Sequence, residues 1–195
     1  MNKSNGRLIV LEGCDDVGKS TIATRVVDAL ADAGKSPTLL AFPGHKPGSV
    51  GKWVYDLHHD PERQSINQTC LQLLHVAAHI DCIESQIKPL IETGNDVILD
   101  RYWWSTCAYG VIGGVELDRL AMMIELEESV WGDCRPHCIV LLRRKAAERA
   151  ANADLVSEYE KLFDRERRRE RAVEVWNDSD VESAVSQILD AVYTN

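Results

Sequence analysis

Gly13-Cys14-Asp15-Asp16-Val17-Gly18-Lys19-Ser20 follows the pattern G-x-x-x-x-G-K-S/T, and its flanks decide the fold. Residues 7–12 before it are apolar enough for a buried parallel strand. Residues 19–33 after it carry Ile22, Val26, Ala29, Leu30 and Ala33 on one helical stripe, which Gly34 ends. Strand, glycine loop and helix together wrap backbone N–H groups around a polyphosphate. Gly13, Asp16, Val17, Gly18, Lys19, Ser20 and Thr21 are the expected phosphate-binding positions. Lys19 would neutralise the β/γ groups and Ser20 would offer its hydroxyl to Mg²⁺. The stretch predicts a nucleoside triphosphate site.

Four further apolar runs, 38–42, 97–100, 138–142 and 172–176, are separated by helical patterns. That alternation predicts an α/β fold, a three-layer α/β/α sandwich of P-loop type around a five-stranded parallel sheet. Helices are expected over 66–92, with Pro89 kinking or restarting the last turn, and over 118–130 and 181–192. Another carries Leu155, Tyr159, Leu162 and Phe163 on its face. No repeat or linker interrupts the chain, so 1–195 reads as one domain.

Composition narrows the class further. The 195 residues carry a net charge of −9, which disfavours a broad nucleic-acid-binding surface without excluding a local basic groove. No apolar run reaches the roughly 20 residues that span a bilayer, and the N-terminus leads into the first strand without a leader pattern. Six scattered cysteines read as reduced thiols, and the expected location is cytoplasmic.

The third strand separates kinases from switch GTPases. It ends in Asp100-Arg101-Tyr102, where a GTPase would show D-x-x-G, and no N-K-x-D follows. Asp100 at a strand's carboxyl end suits a magnesium position, directly or through water. Arg101 suits a second anionic substrate, since a guanidinium grips phosphate through two N–H groups; an Arg–Asp pair closing the sheet end is the plainer alternative.

These residues resemble the thymidylate kinase family. The resemblance rests on Leu11-Glu12-Gly13 running into the glycine loop and on Phe42-Pro43-Gly44 after the second strand. It continues in Ile87-Lys88-Pro89 through Gly94, and above all in Asp100-Arg101-Tyr102 followed by Ser105-Thr106-Cys107-Ala108-Tyr109. It implies a nucleoside monophosphate kinase that uses ATP and Mg²⁺ on a small nucleotide, and a homodimer. Asp15 would accept the sugar 3′-hydroxyl, and Arg101 would bind the acceptor phosphate beside Asp100. Tyr102 would join the acceptor site, Tyr109 would pack under the deoxyribose and Phe42 would line the base pocket. A mobile helical lid is implied over 143–155. Family members with an arginine after the loop aspartate draw catalytic charge from it. Here Asp16 stands at that position, so Arg149 and then Arg144 are the candidates to replace it.

The departures cluster in the base pocket. His75 falls where the family usually stacks an aromatic ring on thymine, and His79 where an arginine usually donates to the pyrimidine O4. Gly110 stands in place of a common glutamine, His45-Lys46 in place of a second phosphate-binding arginine, and Trp103-Trp104 add bulk beside the site. The acceptor expected is dTMP or a modified thymidylate. A hydroxymethyl pyrimidine in DNA, or a nucleotide-binding protein without turnover, remains an alternative. His75 and His79 also have the i, i+4 spacing of a zinc pair, and Cys134 to Cys138 invites a metal reading, but the base pocket and core thiols explain them more simply. His58-His59 is read as part of a polar turn. The run 165–171 is read as a salt-bridged face, with Arg165 or Arg169 as possible donor-phosphate contacts.

Overall fold

The computed structural model describes residues 5–62, 64–168 and 172–193. Five parallel strands form one sheet in the order β2-β3-β1-β4-β5. They are β1 (Leu8–Glu12), β2 (Thr38–Ala41), β3 (Val97–Asp100), β4 (Cys138–Arg143) and β5 (Ala172–Trp176). The three inner strands are almost wholly buried, as their uninterrupted Val, Ile and Leu runs require when both faces are covered. Strands β2 and β5 each have one neighbour and are correspondingly more exposed.

Helix α1 (Lys19–Asp32) buries Ile22, Ala23, Val26 and Leu30. Gly34, at φ 76°, ends it, with Lys35 N–H returning to the Leu30 carbonyl. It packs with α9 (Val181–Tyr193) to make one layer. The other layer holds α3 (Gln68–Cys82), α5 (Trp103–Ile112), α6 (Leu117–Trp131) and α8 (Ala153–Glu166), packed on one another, with α2 (Val50–His59) against α3. A π turn at Ile83–Ile87 links α3 to α4 (Lys88–Glu92), so Pro89 enters at a first helical turn, where its missing N–H is not needed.

Two expectations change here. His58 and His59 are not in a turn but close α2, which Ser49 caps at its other end. Trp103 and Trp104 do not stand beside the site. They are 2% and 0% exposed in the main core, because α5 turns that face inward.

The register places the functional ends together. Leu11 pairs with Asp100 on one side of β1 and Glu12 with Leu141 on the other. The carboxyl ends of β1, β3 and β4 therefore converge where an open parallel sheet binds ligands.

Candidate active site

Construction starts at the glycine loop. Gly13 has φ 139°, and a Cβ there would lie 2.3 Å from the Leu142 carbonyl oxygen, so the loop can cross β4 only with glycine at this position. Gly18, at φ 95°, caps α1 without any side-chain hydrogen bond, which leaves the first N–H groups of the helix for an anion. Val17 is fully buried, so it offers the loop only its backbone, and the exposed Asp16 sits at the apex with φ 62°. Asn177, just after β5, holds the loop from behind: its Nδ2 donates to the Val17 carbonyl at 2.9 Å. No sequence feature had singled it out.

Lys19 is 6% exposed, and its Nζ donates to the carbonyls of Gly13 (2.9 Å) and Cys14 (2.6 Å). Burial, with Arg101 nearby, lowers its pKa, although Asp100, Glu12 and Asp15 work to raise it. Ser20 Oγ donates to Asp100 Oδ2 at 2.8 Å. The other oxygen, Asp100 Oδ1, is buried and lacks a hydrogen-bond partner. An orphaned carboxylate oxygen beside a serine hydroxyl fits Mg²⁺, which keeps several waters and binds through one or two carboxylates plus substrate phosphates. Among the described residues no cluster of three His, Cys, Asp or Glu side chains could hold a metal by itself.

Across from the loop, the Arg101 backbone adopts φ 77°, a left-handed conformation that costs an arginine on the order of 1–3 kcal/mol. The turn is held by Glu12, which is fully buried and was not singled out as a site residue. Glu12 Oε1 accepts from the Tyr102 and Ser105 N–H groups at 2.7 and 3.0 Å, and Oε2 from Ser105 Oγ at 2.8 Å. It thereby caps the start of α5 from the end of β1. Burial raises the Glu12 pKa, although Arg101, Ser105 and Tyr102 favour the charge. Arg101 reaches back to Ser105 Oγ (3.1 Å) and pairs with Asp15. Tyr109 donates its hydroxyl to the other Asp15 oxygen at 2.6 Å. Burial disfavours the Asp15 charge, but Tyr109, Arg101 and Lys19 together hold its pKa below the ordinary value. Tyr102 packs its ring wholly into the core against Trp103 and Trp131, so its share of the site is its N–H group.

Asp15, Ser20, Phe42, Asp100, Arg101 and Tyr109 open on one cleft of about 660 Å³. Five of the six histidines, His45, His58, His59, His75 and His79, line it too. His79 stacks on Phe42 with ring centroids 3.9 Å apart. His75 Nε2 lies 2.8 Å from His58 Nε2 across the α2–α3 contact. The sequence reading placed His75 and His79 in this cleft and missed His58 and His59.

Burial lowers the His75 pKa to about 3, with His79, His58 and Arg101 adding to the shift. Its unfolded counterpart takes a proton near about 6.5. The unfolded chain therefore binds more protons between these values, and this group's contribution to stability falls as pH drops from about 6.5 towards 3. Urea midpoints measured at pH 7 and pH 5 should show a larger loss for the native chain than for His75→Gln. An identical loss in both would refute the neutral imidazole.

The proposed lid segment holds α7 (Lys145–Ala150) and the start of α8. Arg143, at its root, is fixed by Glu148 (2.6 Å), Glu160 (2.7 Å) and Glu174 (2.9 Å) and stacks on Trp176. Arg144 and Arg149 are exposed, and neither lines the cleft. Arg165 pairs with Glu166 and stacks on Trp103. Arg169, Glu170 and Arg171 lie outside the described residues.

A family model described as thymidylate kinase matches residues 11–190, which include every group placed above from Leu11 to Asn177. The chain belongs to the thymidylate kinase family. It is 38% identical to the thymidylate kinase of Dinoroseobacter shibae over 127 residues, 65% of this chain and 59% of that protein. It is 31% identical to that of Syntrophotalea carbinolica over 135 residues, 69% of this chain and 60% of that one. The matched stretches thus span about three fifths of these relatives' own length. The crystal structure of thymidylate kinase from Ehrlichia chaffeensis superposes with a TM-score of 0.77 at 18% identity, covering 95% of this chain and 98% of that one. At that identity the likeness is one of fold.

Proposed function

We propose that this family member transfers the γ-phosphoryl group of ATP to the 5′-phosphate of a pyrimidine deoxynucleotide, dTMP or a 5-modified analogue. The observation that carries the reading is the facing of two anion sites across one cleft. The glycine loop, which holds Lys19 and opens on the cleft through Asp15 and Ser20, would take the donor, and Arg101, tied to Asp15 on the cleft wall, would take the acceptor. An oxygen of the acceptor phosphate attacks the γ-phosphorus, the bond from that phosphorus to the β,γ-bridging oxygen breaks, and ADP leaves. The chemistry needs alignment and charge neutralisation more than a strong base. Mg²⁺ held at Asp100 and Ser20 would neutralise the β- and γ-oxygens. Arg149 and Arg144 supply further positive charge when the segment 143–155 closes over the donor and excludes water.

Asp15 and Tyr109, hydrogen-bonded to each other at the cleft wall, are the groups that would meet the sugar, and a tyrosine ring packed there favours a deoxyribose. Exposed Leu73 on α3 and Leu117, Met122 and Leu126 on α6 support pairing with a second copy. Among the described residues no helix is long and apolar enough to cross a membrane. Acceptor-dependent ADP release tests the reading. Release with dTMP and little with the ribonucleotide is expected, whereas equal rates with and without any acceptor would overturn it.

A further inference from the structure

Tyr159 lies on the inner face of α8 with Leu155 and Leu162, and its ring belongs to the main core. A phenylalanine would fill that place equally well, so packing does not explain the hydroxyl. A phenol only 2% exposed is costly unless its proton finds an acceptor. Among the described residues, the hydrogen-bond partner of Tyr159 is Ser105 Oγ on α5, at 2.9 Å. Burial raises the Tyr159 pKa well above its ordinary value, so the phenol keeps its proton and Ser105 Oγ takes it.

Ser105 is a junction on the acceptor side of the cleft. Its hydroxyl donates to Glu12 Oε2 at 2.8 Å, which uses its one proton. Two lone pairs remain, and two donors reach them: Tyr159 Oη at 2.9 Å and Arg101 Nη1 at 3.1 Å. The serine oxygen is thereby saturated and held from β1, from α8 and from the Arg101 turn at once.

Arg101 has a second anchor, since its Nη2 donates to Asp15. The two anchors differ in kind. The Asp15 side chain is 63% exposed on the phosphate loop, where an incoming ligand competes for it. Ser105 is buried, so its hold on the guanidinium persists when the cleft is filled. Of the five N–H groups of Arg101, one on Nη1 and one on Nη2 are committed to these anchors, which leaves three for an anion.

We infer that Tyr159 is a positioning residue for the acceptor, its hydroxyl holding Ser105 Oγ so that Arg101 presents its remaining N–H groups to the acceptor phosphate. This rests on the proposed kinase reading and extends the acceptor site to α8, no described side chain of which lines the cleft. A role in packing alone would leave acceptor affinity unchanged when the ring is kept and the hydroxyl removed.

The test uses Tyr159→Phe. Calorimetry gives the Kd of dTMP and of ATP for the native chain and the variant, with no need of turnover. The dTMP Kd should rise by about three- to tenfold, as for the loss of one hydrogen bond, while the ATP Kd stays within about twofold. In turnover the loss should fall on the dTMP KM, with kcat little changed. An unchanged dTMP Kd overturns the inference. Equal weakening of both nucleotides also overturns it, because that is general loosening of the cleft. Ser105→Ala completes a double-mutant cycle, and adding Tyr159→Phe to it should cost dTMP affinity less than about twofold more. An undiminished further loss would show that Tyr159 does not act through Ser105, which overturns the inference as well. Binding of dTMP without turnover in the native chain would strike the kinase reading and leave the affinity ratio as the measure of Tyr159.

Discussion

Lys19→Met should lower kcat by at least about 10²–10³-fold while leaving the fold in place. The methionine keeps the apolar stem that packs in a position only 6% exposed, and removes the ammonium alone. That ammonium donates to the Gly13 and Cys14 carbonyls, inside the loop and next to the α1 N-terminus. It is therefore already placed to follow charge as it gathers on the β,γ-bridging oxygen. Burial has also stripped it of water, so its interaction with phosphate is screened less than at a surface. Steady-state turnover at saturating ATP and acceptor gives the number. Circular dichroism should match the parent. An unchanged kcat would mean that the loop does not hold the reacting phosphate.

Arg101→Lys should cut kcat/KM by about 10²-fold or more, with the acceptor KM rising most. One guanidinium reaches Ser105 and Asp15 at once and still faces the cleft. A lysine is a single point charge that cannot span those partners and grip a phosphate through two N–H groups. The backbone is held strained at this residue by the Glu12 contacts to Tyr102 and Ser105, so the turn itself should survive the change. ATP affinity measured by calorimetry should change little. An equal loss in donor and acceptor affinity would show that Arg101 serves the whole cleft and not the acceptor.

The parts of this architecture that were legible in the sequence are those written locally. The glycine loop needs left-handed backbone at Gly13 and Gly18 within a few residues of an apolar strand and a helix, and that pattern survives in one dimension. Asp100 and Arg101 were legible because they end an apolar run. What the sequence hid is contact across the chain. Glu12 looks like any polar strand end until α5 docks its first turn on it, 93 residues later. Glu127 looks like one more charge in an acidic helix until α6 turns it onto His79. Helix α2 was missed because it buries little beyond Gly51 and Val54 and leaves Trp53 exposed, so its apolar periodicity is weak. With α2 hidden, His58 could not be seen reaching His75. Trp103 and Trp104 were misplaced because two adjacent large side chains do not reveal which face of a helix meets the core.

The proposed reaction is transfer to a nucleotide phosphate. The most direct measurement is to identify the product formed from ATP, Mg²⁺ and dTMP by phosphorus-31 NMR, in parallel with ADP release. The expected result is dTDP appearing in step with ADP, at a rate on the order of 1–100 s⁻¹ that falls by at least about 10²–10³-fold in Lys19→Met. Inorganic phosphate in place of dTDP, or no product from dTMP or any other pyrimidine deoxynucleotide, would contradict it.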